Sequence, residues 1–221
     1  MPDPLVVPVF PLPDVVFFPR TVLPLHVFET RYRAMVKDAL QGDHTLVVAL
    51  LQPGWEQDYQ GSPALHPVAT LGRMEGVETT RDGRYHFRLV GLHRVRLLAA
   101  ERETPYRLMR AEHIPERAVD DSDPEIRRAK LDLLASQVCL MHELAGKERP
   151  LVLDETMSFE AAVNGTCASL PIEPAGRQAL LEIDDLRIRH QAAGSILDEL
   201  LDRILRLKSL RGRDEGENDI N

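Results

Sequence analysis

Leu23-Pro24-Leu25-His26-Val27-Phe28-Glu29-Thr30-Arg31-Tyr32, residues 23–32, joins an apolar extended segment to a charged helix start with almost no linker. Around it, short apolar runs at residues 6–10, 15–17, 21–25 and 45–51 are broken by prolines, which cannot donate to a ladder and so predict short, bent strands. One helix interrupts them, from about Glu29 to Leu40. Tyr32, Met35, Val36 and Ala39 recur there at three- and four-residue spacing, and Gly42 follows as a stop. Further strands are expected at residues 69–78, 85–94, 95–103 and 106–114. Asp82-Gly83 supplies the positive φ angles of a tight hairpin between the first two. The result is a curved antiparallel sheet.

The period then changes. Residues 115–123 read as a polar, acidic linker, and Ser122 or Asp123 can cap a helix with Pro124 in its first turn, where a missing N–H costs nothing. Leu131, Leu134, Val138, Met141 and Ala145 are expected to form its apolar stripe, and Pro150 to end it. Shorter helices follow over residues 158–168 and from Pro174 to about Glu182. Asp184 is expected to cap a long final helix, whose Leu186, His190, Ala193, Leu197, Leu200, Ile204 and Leu207 alternate in steps of four and three. Leu201 and Leu205 widen this stripe beyond what one partner helix covers, which suggests a homodimer through the terminal helix. The domains are therefore read as a β unit at 1–116, a helical unit at 117–211 and a disordered polar tail at 212–221.

Three ordered blocks resemble the Lon protease N-terminal domain family. They are the opening stretch with Glu29, Arg31 and Tyr32; Pro67 to Gly72 with Asp82-Gly83-Arg84-Tyr85 and Gly91-Leu92-His93-Arg94; and Leu180 to Leu186. Three motifs in order are far more specific than any one. The resemblance implies an α+β fold, a PUA-like antiparallel β pseudo-barrel followed by an all-helical C-terminal bundle. It also implies a substrate-binding module: Lon couples this domain to an ATPase and a peptidase, and 221 residues leave no room for either.

The residues agree that no enzyme is expected. The chain has four lysines, and its one Gly-Lys pair, Gly146-Lys147, is followed by Glu148 and has Met141 where a phosphate-binding loop needs its first glycine. His142-Glu143 begins like a zinc-peptidase helix, but Gly146 stands where the second histidine belongs. Cys139 and His142 share a helix face, yet two ligands make no metal site, and Cys139 is expected to be buried. No cofactor is called for. With 43% hydrophobic and 28% charged residues, a globular core is available. Met1-Pro2-Asp3-Pro4 lacks the features of a signal peptide, no run is long enough for a membrane span, and two cysteines suit the cytoplasm.

Charge separates the halves: residues 1–115 hold 13 Lys/Arg and 13 Asp/Glu, and 116–221 hold 14 and 22, so the net −8 lies entirely in the second. A small-ligand or RNA-binding module is the alternative reading, because PUA-like folds elsewhere bind RNA and the hairpin region is rich in arginine. The neutral first half and acidic second half argue against nucleic acid.

Two sets of residues bear on function. Glu29, Arg31, Tyr32, Gly72, Gly83, Tyr85, Gly91 and Arg94 carry the motifs, and their reading is structural. Glu29 favours the helix dipole, and Arg94 is its expected buried partner. The long loop Pro53–His66 holds the only tryptophan. Trp55, Tyr59, Phe18 and Leu65 are candidates for a shallow apolar surface that binds unfolded or flexible polypeptide, on behalf of a separate protease or chaperone. Phe18 is included because a strand through Phe17-Phe18 must point one ring outward. The structural alternative is that Trp55 plugs the barrel end.

Overall fold

A computed structural model describes residues 5–59, 61–145 and 156–218. The segments Met1–Pro4 and Gly146–Pro150, and the last three residues of the expected tail, lie outside the described residues. Six strands form one sheet: β1 (Leu5–Leu12), β2 (Val22–Val27), β3 (Thr45–Leu50), β4 (Val68–Thr79), β5 (Tyr85–Arg102) and β6 (Arg107–His113). Their order is β2-β5-β4-β3-β1-β6, and β5 also pairs with β6, so five strands close into a ring while β2 hangs on β5 as an edge. One pairing departs from the expected antiparallel sheet. β1 and β3 run parallel, with Val9 opposite Val47, because β2 and α1 (Thr30–Ala39) lie between them and return the chain to the same end. The two strands expected over residues 85–103 are one 18-residue strand, β5, whose pairings with β4 and β6 carry bulges that let it bend.

Each ring strand contributes to one cluster, Val9, Val47, Leu71, Val95 and Ala111 among its members. This is the ring interior. Alternate residues of β3, Leu46 and Val48, face the other way and pack with Tyr32, Met35 and Val36 of α1. Two motif glycines are explained by position. Gly83 takes φ +77° in the β4–β5 turn, the single positive angle of the Asp-Gly pair. A Cβ on Gly91 would lie 2.3 Å from the Phe18 carbonyl oxygen, so the close approach there excludes any side chain.

The chain phase at the edge follows from one bond. Gly91 N–H donates to Thr21 O (2.9 Å), which alternates along the ladder so that Val22, Pro24 and His26 turn their backbone groups to the open side. Pro24 thus sits where its missing N–H removes no ladder bond. His26 and His86, directly opposite across this pair, stack with ring centres 4.2 Å apart.

The second half is helical: α2 (Pro124–Ala145), α3 (Phe159–Ser169), α4 (Pro174–Glu182) and α5 (Leu186–Asn218). Asp123 Oδ1 caps α2 by accepting from Glu125 N–H (2.9 Å). Asp185, not Asp184, caps α5, accepting from the N–H groups of Arg187 (2.8 Å) and Ile188 (3.3 Å). The buried face of α2 is Ile126, Lys130, Leu133 and Leu140 rather than the expected stripe; Leu131, Met141 and Cys139 are exposed. Contacts from α3 and α5 select that face, and the spacing alone allowed either. α5 continues through Gly212 to Asn218, where a disordered tail was expected.

The halves share a core. Val16, Phe18, Leu50 and Val68 pack in one cluster with Phe159, Leu181 and Leu197. Phe18 is fully buried there, which corrects its assignment to an exposed surface. The alternation argument fails because residues 15–18 are not a strand, so Phe17 and Phe18 enter two different clusters. Arg94 also belongs to this junction. Its guanidinium donates to Leu181 O (3.1 Å), Ile183 O (3.2 Å), Asp184 Oδ1 (3.1 Å) and Glu116 Oε1 (2.8 Å), and Glu29 is not among its partners. The register explains the correction. Val27 lies opposite Tyr85, so Glu29 is near the start of β5, and Arg94 lies nine residues on, roughly 30 Å along the strand.

Candidate functional site

Glu29, deprived of Arg94, turns to the loop that follows β3. It precedes α1 without capping it by a side-chain bond. Its Oε2 accepts from Arg31 Nε (3.1 Å), and its Oε1 accepts from the Tyr59 hydroxyl (2.8 Å). Arg31 closes the arrangement by donating from Nη1 to Tyr59 O (3.2 Å). Its guanidinium also sits 4.6 Å from the Tyr32 ring centre and 4.9 Å from that of Tyr59. Glu29 and Arg31 therefore hold the loop, and Tyr32 stacks on Arg31.

The loop is more ordered than its sequence implies. Trp55–Asp58 form a 3-10 turn, and Trp55 packs edge-on against Tyr59 with ring centres 5.6 Å apart. Both rings are half-buried. Leu65 is placed apart. It forms a bridge with Leu51 and packs, half-buried, on the interior cluster. Of the four expected surface residues, the structure brings two together, sets one into the wall and buries Phe18.

Beside the aromatic pair lies a cavity of about 110 Å³ whose walls include Arg31, Tyr32, Tyr59, Tyr106 and Arg107. Its far wall is the β5–β6 turn, tied to the loop by the Ser62 hydroxyl donating to Glu103 Oε2 (2.6 Å). The Tyr106 hydroxyl donates to Asp38 (2.7 Å). Burial pushes the Tyr32 phenol up to about 12, and burial followed by the bond to Glu29 raises Tyr59. Both phenols therefore stay neutral donors. The sequence reading missed Glu103, Tyr106 and Arg107 here. No motif marks them, and Arg107 is one of several arginines in the hairpin region.

A larger cavity, about 640 Å³, opens at the junction between Arg20, His93, His113 and Glu116. Its charges are satisfied internally: Arg20 pairs with Glu160 (3.1 Å), and Glu116 with Arg94 and Arg189. Among the described residues, no group of three or more His, Cys, Asp or Glu is arranged to hold a metal ion, and no helix is long and apolar enough to cross a membrane.

The family model for the ATP-dependent protease La (LON) substrate-binding domain matches residues 6–199. The chain belongs to the Lon substrate-binding domain family. Lon protease of Anaeromyxobacter dehalogenans is 32% identical over 198 residues, which are 88% of this chain and 23% of that protein. Lon protease 2 of Myxococcus xanthus is 31% identical over 88% of this chain and 24% of its own length. The chain thus spans about a quarter of the length of these relatives. In fold, it is similar to the N-terminal domain of Mycobacterium avium complex Lon protease (TM-score 0.65, 16% identity, 88% of this chain and 98% of that one). It is likewise similar to a Lon N-terminal domain protein from Xanthomonas campestris (TM-score 0.60, 22% identity, 85% and 95%). The α+β fold with a helical C-terminal part is that of Lon N-terminal domains. The part of Lon that matches is the substrate-binding one, outside its ATPase and protease domains.

Proposed function

We propose that this chain binds unfolded or flexible polypeptide at the rim formed by Trp55 and Tyr59, as a non-catalytic, cofactor-free adaptor or regulator. It serves a separate protease or chaperone in the cytoplasm. The observation that carries this reading is the half-buried Trp55–Tyr59 pair, whose Tyr59 is held by Glu29 and Arg31 and lines a cavity. Aromatic rings held in place lose little entropy when a chain packs on them, which is why Trp and Tyr dominate many binding surfaces. Membership of a substrate-binding family supplies the kind of ligand.

The rival RNA-binding reading loses support from the hairpin arginines. Arg84 is paired with Asp82 (2.8 Å), Arg110 with Glu101, and Arg94 with Glu116 and Asp184. Arginines already neutralised release few counterions from a polyanion. Self-association is assigned to α5, where Leu205, Leu207 and Leu210 are all more than half exposed.

Intrinsic fluorescence tests the reading, since Trp55 is the only tryptophan. Titration with a permanently unfolded, tryptophan-free protein shifts or quenches the emission saturably. Trp55→Ala weakens binding, measured by anisotropy of a labelled client, with little change in melting temperature. A variant that binds normally but melts early makes the loop structural and ends the proposal.

A further inference from the structure

The cavity at the rim contains two guanidinium groups whose hydrogen-bonding capacity is not used up. Arg31 engages Glu29 and Tyr59 through Nε and Nη1, but its Nη2 is buried with no partner among the described residues. Arg107 has only 10% of its side chain exposed. Among the described residues its one ion pair is with Glu103 at 3.6 Å, beyond hydrogen-bond reach. Burial lowers the Arg107 pKa and Glu103 opposes that, yet a guanidinium remains charged. A buried donor left unmade is costly, more so when charged, and such groups in native proteins call for an explanation.

Glu103 indicates what is missing. Its side chain is 47% exposed, and Oε2 is shared with the Ser62 hydroxyl, so it reaches Arg107 from the cavity edge without filling the space. The cavity, at about 110 Å³, is several times the ~30 Å³ share of one water and suits a carboxylate with its methylene. The planar fork of arginine matches that group. Tyr32, Tyr59 and Tyr106 line the remainder, which fits the apolar stem of an acidic residue.

We propose that this cavity takes a carboxylate of the bound polypeptide, an aspartate or glutamate side chain or a C-terminal carboxylate, between Arg31 Nη2 and Arg107, displacing Glu103. The proposal rests on the reading of the rim as a polypeptide site and adds its chemical preference: an acidic group next to an aromatic or apolar residue that meets Trp55.

Three tryptophan-free peptides of one sequence test it through Trp55 emission. One carries Glu with an amidated C-terminus, one Gln with an amidated C-terminus, and one Gln with a free C-terminal carboxylate. At least one acidic peptide binds about tenfold tighter than the neutral amide, the scale of one charge-assisted hydrogen bond. Which of the two gains identifies the source of the carboxylate. In Arg107→Gln the affinity gap between the acidic and neutral peptides closes. Glu103→Gln, at a half-exposed position, tightens the acidic peptide severalfold relative to the neutral one. Should Arg107→Gln fail to fold by circular dichroism, Glu103→Gln decides alone, and unchanged acidic affinity overturns the proposal. Equal binding of all three peptides overturns it and leaves the polypeptide reading standing. No saturable signal from any of them also overturns it, and the unfolded-protein titration then decides whether the rim reading falls too.

Discussion

Arg94 and Arg189 hold one carboxylate between them: Glu116 accepts from Arg94 Nη2 at 2.8 Å and from Arg189 Nη1 at 2.9 Å. Arg94 comes from the sheet, Arg189 from the last helix, and Glu116 from the segment joining the halves. Both guanidiniums are almost wholly buried, and Arg189 also reaches Asn164 Oδ1 (2.8 Å) and Ile183 O (2.6 Å).

Removing Arg94 leaves a void at the junction, takes the guanidinium from the Leu181 carbonyl and takes from Glu116 one of its two cationic partners. Arg94→Ala is expected to lower the unfolding free energy by about 3–5 kcal/mol. Urea denaturation followed by circular dichroism measures this, and a midpoint like that of the parent protein would show that the junction does not depend on Arg94.

Gly91→Ala tests the tight passage between β5 and the segment before β2. The added Cβ meets the Phe18 carbonyl oxygen, a backbone atom that cannot swing aside, so a loss of about 1–3 kcal/mol is expected. Thermal melts of this variant and of Gly165→Ala, where an added Cβ meets open space, separate the clash from a general effect of replacing glycine.

Alkaline pH should destabilise the protein through Tyr32. Its phenol is raised from 10.0 to about 12 by burial, so the fold favours the protonated form. That contribution is fully present below the unfolded value near 10 and is lost as pH rises through about 12. Unfolding free energy measured from pH 9 upward should therefore fall across this window, and Tyr32→Phe should flatten the fall. A Tyr32→Phe curve parallel to the parent's would remove Tyr32 as the cause.

The exposed end of α5 gives the fourth test. Leu205 is 53% exposed, so Leu205→Glu should abolish a dimer seen by light scattering at high concentration while leaving the melting temperature in place. A parent protein that stays monomeric throughout would refute the assignment of self-association to this helix.

The elements were legible where local pattern decides them. The apolar period fixed α1, Ser158 caps α3 as its type suggests by accepting from Ala161 N–H, and Pro174 opens α4. What depends on distant chain was not. The partner of Arg94 lies on segments near residues 116 and 184, and no spacing in sequence points there. The buried face of α2 is chosen by its neighbours, and the fate of Phe18 turned on whether residues 15–18 were a strand. At the candidate site, Trp55 and Tyr59 could be singled out by composition. Arg107 could not, since its burial comes from ring closure between β5 and β6.

Pro24, on the open side of β2, carries a last consequence. An unguarded sheet edge is a template on which unpaired strands polymerise, a hazard that grows if the chain gathers unfolded polypeptide as proposed above. At Pro24 the edge offers no N–H to a visiting strand, and a proline ring stands in the way. Pro24, the third residue of β2, thus bars this open edge from serving as a template for strand addition.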